Sequence, residues 1–328
     1  MRPSNEPASD RRVITVDDVL AASDRLDGKI VRTPLVPSEF VSRQLGCDVR
    51  FKAENLQHIG AFKVRGASNA VLCLTEDDAR QGVVTHSSGN HAAALARAAA
   101  LRGIPAHVVM PSNSMPGKIA AVRSFGVEPV FCEPTIESRK ETAGLVRQQT
   151  GATMVHPFNH LEVIAGQGTV GLEMLQQCES LDAIIAPVGG GGLLAGILTA
   201  VKSLRPDVRV YAAEPAWADD TARSLAAGRP LPPTRYDTIA DGLRAEVGEQ
   251  TFPVIQRLLD GLILVEESAI LSAMRVLAET VHLVAEPSGA VAFAALASQP
   301  DPFQGCTVGV VISGGNLNFG ACRLGQGD

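Results

Sequence analysis

Aromatic side chains are scarce in this 328-residue sequence: one Trp, two Tyr and ten Phe, 4% in all. That is too few for an aromatic-rich β-sandwich or for a surface that stacks nucleic-acid bases. Excess positive charge is missing too. The formal net charge is −6, so the basic footprint of a nucleic-acid binder is absent. The cysteines Cys47, Cys73, Cys132, Cys178, Cys306 and Cys322 stand singly. None is spaced as CxxC, which leaves no zinc-ribbon or thioredoxin reading and suits reduced core thiols of a cytosolic protein. No apolar run approaches the ~20 residues that cross a bilayer. The opening MRPSNEPASDRR has no apolar signal segment. A soluble cytoplasmic protein with a short disordered leader is expected, its partner a small molecule rather than nucleic acid or membrane.

What the sequence does have is Ala, Val, Leu and Gly. A hydrophobic content of 45% over this length supports roughly two ordinary domains. Short β-branched runs alternate with Ala/Leu-rich stretches. GVVTHS (82–87) reads as a strand, followed by a helix that ends at Gly103. AHVVMP (106–111) is a strand before a helix opening near Pro116, and EPVFC (128–132) a strand before a helix over 136–150. The alternation resumes with strands in AIIAPVGGGG (183–192), RVYAAEP (209–215) and CTVGVVISGGN (306–316). This pattern predicts an α/β fold with parallel sheets and helices on both faces. Ligands of such sheets lie beyond the carboxyl ends of the strands. The segment 216–260 is polar and Pro-rich and reads as a long surface excursion.

Only six lysines occur: Lys29, Lys52, Lys63, Lys118, Lys140 and Lys202. Lys63 sits in QHIGAFKVRGASNA (57–70), among small and apolar residues. A lysine packed that closely loses hydration, its pKa falls, and the neutral amine becomes a nucleophile suited to imine formation. A surface lysine opening a helix is the plainer alternative. SSGNHAAALA (87–96) follows a strand and opens a helix. Ser87, Ser88 and Asn90 there form either an anion site beside free backbone N–H groups or a simple N-cap. PVGGGGLLAG (187–196) places four consecutive glycines between a strand and a helix. So costly a run suits a backbone that must approach a phosphate. It lacks the GxxxxGK[ST] pattern of a nucleoside-triphosphate loop. ISGGN (312–316) offers Ser313 as a neutral hydrogen-bonding partner.

Taken together, these four pieces resemble the fold-type II pyridoxal-phosphate enzymes of the threonine dehydratase and serine racemase group. The likeness runs from RTPLVPSEF (32–40) to SGGN, nearly the whole chain. It implies a tryptophan synthase β-like fold. A large cofactor-binding domain would comprise 1–81 and 158–328, and a small mobile domain 82–157. It implies Lys63 as the Schiff-base lysine, Phe62 beside the cofactor ring, Asn90 on the 3-hydroxyl and Ser313 on the pyridine nitrogen. Gly189, Gly190, Gly191 and Gly192 would hold the phosphate. Ser87, Ser88, Asn90 and His91 would hold the substrate carboxylate, with Ser88 also a second acid/base. Arg139 fits the pattern of an arginine at the substrate entrance, and equally that of a solvated helix arginine. Glu214, Ala218 and Asp220 match a site for Mg²⁺ or Ca²⁺ in serine racemase-like members; a solvated acidic loop is the alternative. A homodimer or homotetramer is implied.

Three positions depart from the pattern: Ile59 and Ala61 stand where family members commonly carry Thr and Ser, and Ala245 where racemases place a serine. A missing hydroxyl changes which substrate groups a pocket satisfies. The expected activity is that of an ammonia-lyase eliminating water from L-threonine or L-serine to give a 2-oxo acid and ammonia. Alternatives are serine racemisation, β-replacement as in cysteine synthase, dehydration of 3-hydroxyaspartate or of a hydroxyectoine-breakdown intermediate, and an inactive cofactor-retaining binding protein. No regulatory domain is expected after SGGN, hence no isoleucine feedback through one.

Overall fold

The computed structural model describes residues 12–317. Cys322 and most of the expected leader lie outside the described residues. Ten strands are β1 Leu35–Pro37, β2 Asp48–Ala53, β3 Val83–His86, β4 Ala106–Pro111, β5 Val130–Cys132, β6 Thr153–Met154, β7 Ala183–Pro187, β8 Arg209–Pro215, β9 Gly261–Val265 and β10 Thr307–Ile312. They form two sheets, ordered β1-β2-β10-β7-β8-β9 and β5-β4-β3-β6. All neighbours are parallel except β1 with β2. The α/β fold with parallel sheets is therefore as the sequence predicts.

The helices are α1 Val16–Leu26, α2 Glu39–Leu45, α3 Lys63–Leu72, α4 Glu76–Gln81, α5 Asn90–Arg102, α6 Pro116–Arg123, α7 Ile136–Thr150 and α8 Leu161–Gln177. They continue with α9 Gly192–Leu204, α10 Asp220–Ala227, α11 Phe252–Leu258, α12 Glu267–Val276 and α13 Pro287–Ser298. Strand β7 is buried along its whole length, as a strand covered on both faces must be. Helices α8, α9 and α13 are buried over most of their length, and α9 and α13 are accordingly apolar on nearly every side. Gly103 ends α5 at φ 70°, the left-handed C-cap that glycine adopts without strain.

Helix α3 carries Lys63 at its first position and is buried from Val64 to Val71. Its Arg65 lies in a fully buried ionic network. The guanidinium bonds Glu54 at 2.8 Å and Glu173 at 2.7 Å, while Lys52 reaches Glu173 at 2.5 Å. Two cations thus face two carboxylates, tying α3 to β2 and α8. Removing one member would leave an uncompensated charge, a loss of about 3–5 kcal/mol.

One expectation is corrected here. Residues 216–260 are only in part an irregular surface excursion: 228–237 are irregular and largely exposed, but the rest is not. They contain α10 and α11, and bury Ala218, Asp220, Thr221, Ser224, Ala240, Val247, Phe252, Val254 and Ile255. The segment looks polar because its Asp, Thr and Ser side chains serve backbone groups inside. Ser224 Oγ donates to Asp220 O and accepts from Leu231 N, and Asp220 Oδ2 accepts from Val247 N. Strand β5 is also shorter than EPVFC suggests, pairing only over Val130–Cys132.

Candidate active site

A cavity of about 470 Å³ opens at the carboxyl ends of β3, β7 and β10. Sequence-distant pieces meet on its wall: Phe62 and Lys63, the 87–91 turn, the 189–192 glycines, Ser313 and Arg139. Of the candidate site residues, Glu214, Ala218 and Asp220 lie elsewhere; of the three departing positions, Ala245 lines the cavity while Ile59 and Ala61 do not.

The Lys63 amine donates to the Pro157 carbonyl at 2.9 Å and stands 5.1 Å from the centre of the Phe62 ring. Burial with no carboxylate nearby pushes its pKa down to about 8. Its helix start is anchored to Ser313, whose carbonyl accepts from Phe62 N at 3.1 Å. Ser313 itself is buried, its Oγ 3.4 Å from the Ser288 carbonyl.

The glycine run leads from β7 into α9, whose first N–H groups have no intrahelical partner and carry the positive end of the helix dipole. Gly190 O accepts from Gly248 N at 3.2 Å and Thr251 Oγ1 at 2.8 Å. The Gly191 N–H, trans across the same peptide, therefore points the opposite way. A Cβ on Gly190 would fall 2.3 Å from the Phe158 ring. The run is thus a cradle that only glycine fits, with donors and dipole suited to a phosphate.

Asn90 opens α5; its Nδ2 donates to Glu286 Oε1 at 2.8 Å and its Oδ1 accepts from Asn316 Nδ2 at 2.9 Å. Ser87 Oγ accepts from Gly89 N at 3.3 Å, and Ser88 lines the cavity beside it. His91 is buried, and its Nε2–H donates to Val155 O at 3.1 Å. Burial holds the ring neutral, its pKa well below the usual value, so Nδ1 is a bare acceptor without a partner. The His91 side chain therefore has no donor left for a carboxylate; any help from this position comes from its backbone N–H. Arg139, half-buried on α7, leaves its Nε without a partner.

This geometry has a counterpart among known proteins. The family described as pyridoxal-phosphate dependent enzyme matches residues 26–314. The chain belongs to that family. A serine racemase of Oryza sativa subsp. indica is 43% identical over 312 residues, covering 93% of this chain and 91% of the relative. A beta-hydroxyaspartate dehydratase of Paracoccus denitrificans (strain Pd 1222) is 42% identical over 305 residues, covering 93% and 97%. The solved structure of maize serine racemase superposes with a TM-score of 0.92 at 42% identity, covering 94% and 95%. As a pyridoxal-phosphate dependent enzyme of the serine racemase and threonine deaminase group, the chain uses pyridoxal phosphate. The amine, the glycine cradle and the neutral Ser313 hydroxyl fit that group.

Several cavity residues escaped the sequence reading. Glu286 is buried, and that burial beside Asp241 pushes its carboxyl up to about 7. Its signal was legible: AEPSGA (285–290) sets one acid among small residues, the same mark that singled out Lys63. Lys118 on α6 pairs with Asp241 across the mouth of the cavity. His86 and His156 stack edge to face at 5.5 Å, and Phe158 packs on His156 at 4.6 Å. These pairs carry no local sequence signal. Among the described residues no helix is long and apolar enough to cross a membrane.

Proposed function

We propose that this enzyme removes the Cα proton of a small β-hydroxy amino acid, with L-serine and L-threonine as default substrates, and that racemisation and loss of water are its two outcomes. The observation that carries this is the half-buried Lys63 amine, desolvated and without a carboxylate partner among the described residues, in one cavity with Ser88. Bound pyridoxal phosphate supplies the electron sink that acidifies the Cα–H bond. Lys63 would hold the cofactor's aldehyde carbon and would accept the substrate's Cα proton. Gly189 to Gly192 would bind the phosphate and Asn90 the 3-oxygen, and Ser313 would meet the pyridine nitrogen without demanding that it stay protonated. The 87–91 turn binds the substrate carboxylate through N–H and hydroxyl donors. Return of a proton from Ser88 gives the D-amino acid. Departure of the β-hydroxyl gives an unsaturated amine that water converts to a 2-oxo acid and ammonia.

The serine racemases among the relatives favour racemisation as the leading activity. A second reading, dehydration of 3-hydroxyaspartate, is favoured by two cations. Arg139 and Lys140 line the cavity and pair with no carboxylate among the described residues, which suits a substrate with a second carboxylate. Assay of D-serine, 2-oxo acid and ammonia from L-serine, L-threonine and 3-hydroxyaspartate tests both. No turnover of any of the three would overturn the proposal.

We infer further that Glu214, Asp220 and the Ala218 carbonyl hold Mg²⁺ or Ca²⁺. Asp220 Oδ1 is buried without a partner, and burial pushes Glu214 up to about 8 and Asp220 up to about 7. A hard cation would relieve both, taking oxygen ligands. Glu214 already accepts from Thr221 N at 2.8 Å and Ala222 N at 2.9 Å, which fixes its carboxylate. No group of three His, Cys, Asp or Glu side chains placed to hold a metal ion occurs among the described residues, so backbone oxygen and water would complete the ligand set.

A further inference from the structure

An asparagine amide presents either a donor or an acceptor, and only its neighbours decide which. Around Asn90 the decision starts at a backbone carbonyl. The Ile59 oxygen can only accept, and Asn316 Nδ2 donates to it at 2.7 Å. The second hydrogen of that same nitrogen goes to Asn90 Oδ1 at 2.9 Å. Asn90 therefore turns its oxygen to Asn316 and its nitrogen to Glu286 Oε1, 2.8 Å away. One N–H of Asn90 remains.

The surroundings are built to hold this chain of bonds. Ile59, a β-branched residue, stands at φ 58°, a strained left-handed conformation. Gly315 N donates to Gly60 O at 2.9 Å, closing the 59–60 turn onto the segment that carries Asn316. A Cβ at Gly314 would come within 2.4 Å of Glu286 Oε1. The charged groups nearest Glu286 are Asp241 and Lys118, which pair with each other.

We propose that Glu286 and Asn316 are positioning residues: they fix Asn90 as a hydrogen-bond donor toward the 3-oxygen of the cofactor. The inference rests on Asn90 being a cofactor ligand. A flipped amide would set oxygen against oxygen and weaken the cofactor's hold, and the ring's absorption would report the change.

The test uses apoprotein titrated with pyridoxal phosphate, reading the dissociation constant and the visible absorption band. Asn90→Ala and Glu286→Ala should each weaken cofactor binding roughly tenfold to a hundredfold, as loss of a hydrogen bond to a charged group does, and shift the band alike. Glu286→Gln, whose amide oxygen still accepts from Asn90, should stay within about threefold of wild type. The double variant should be no worse than Asn90→Ala, because Glu286 acts through Asn90. An Asn90→Ala protein with unchanged affinity and band would overturn the reading of Asn90 itself. A perturbed Asn90→Ala with an unperturbed Glu286→Ala, or additive losses in the double variant, would overturn the positioning role alone. Should Glu286→Ala fail to fold, Asn316→Asp decides. It replaces the donor to Asn90 Oδ1 with an oxygen, and its cofactor affinity should fall at least tenfold; wild-type affinity there would overturn the proposal.

Discussion

The amine of Lys63 lies 2.9 Å from the carbonyl oxygen of Pro157, a residue 94 positions away, and has no carboxylate partner among the described residues. Lys52 is no less hidden, yet its amine is occupied by Glu173 at 2.5 Å, Thr33 O at 2.7 Å and Gln177 at 3.1 Å. A fully buried lysine and a half-buried one thus differ in availability. One balances an ionic network under the site. The other is a desolvated amine at the cavity wall, free to react.

Borohydride reduction of the yellow holoenzyme should fix the cofactor to the peptide containing Lys63. Lys63→Ala should lose at least a hundredfold in Cα deprotonation, the lower end for loss of a well-placed acid–base group. Label found on Lys52 or Lys118 would refute the assignment.

Lys63 also sets a pH dependence. With its pKa at about 8, about one-tenth of the amine is neutral at pH 7. Cofactor reloading of the apoprotein should quicken about tenfold per pH unit below 8 and level off above it. Stability has a matching sign. The unfolded lysine, at its ordinary value of 10.5, binds a proton that the folded one has released between about 8 and 10.5, so apoprotein stability from this group rises with pH across that window. A reloading rate still climbing steeply at pH 10 would show an ordinary lysine.

Ser88→Ala should lower D-serine formation about a hundredfold, while water loss from L-serine and L-threonine, which needs Lys63 alone at Cα, stays near wild type. Chiral analysis of serine beside a 2-oxo acid assay separates the two. Equal collapse of both with cofactor still bound would assign Ser88 to carboxylate binding instead.

Gly190→Ala puts a methyl group onto the Phe158 ring. Overpacking of this kind costs about 1–3 kcal/mol, and the displaced loop should bind pyridoxal phosphate at least tenfold more weakly. Phe158→Ala in the same chain should restore much of that affinity. Equilibrium titration of the four proteins checks the pair.

For the proposed cation site, chelator should lower the melting temperature, and Mg²⁺ or Ca²⁺ at a hundredfold excess over its dissociation constant should add about 2.7 kcal/mol of stability. Asp220→Asn should abolish the response. A wild-type melting curve indifferent to chelator and to both ions would remove the cation from the account.

Lys63 and the glycine run were legible because their signals are local. A lysine among small residues and four glycines between a β-branched run and an Ala/Leu-rich one announce themselves within a few positions. So did the alternation of strand and helix that fixes the fold class, since hydrophobic periodicity is a property of neighbouring residues. The segment 216–260 misled because polar side chains that satisfy buried backbone groups look, in sequence, like side chains that face water. Glu286 and Asn90 are 196 positions apart, and Lys118 and Asp241 are 123 apart. Their meeting sets α5 and α6, which follow strands of the four-stranded sheet, against loops that follow strands of the six-stranded sheet, which no local pattern encodes. The sequence by itself determined which residues have the chemistry to hold a phosphate and form an imine. Tertiary structure decided which of Lys52 and Lys63 is left without a counter-charge, and which atom of Asn90 is left to face the cavity. Both depend on partners that only the folded chain brings within hydrogen-bond reach.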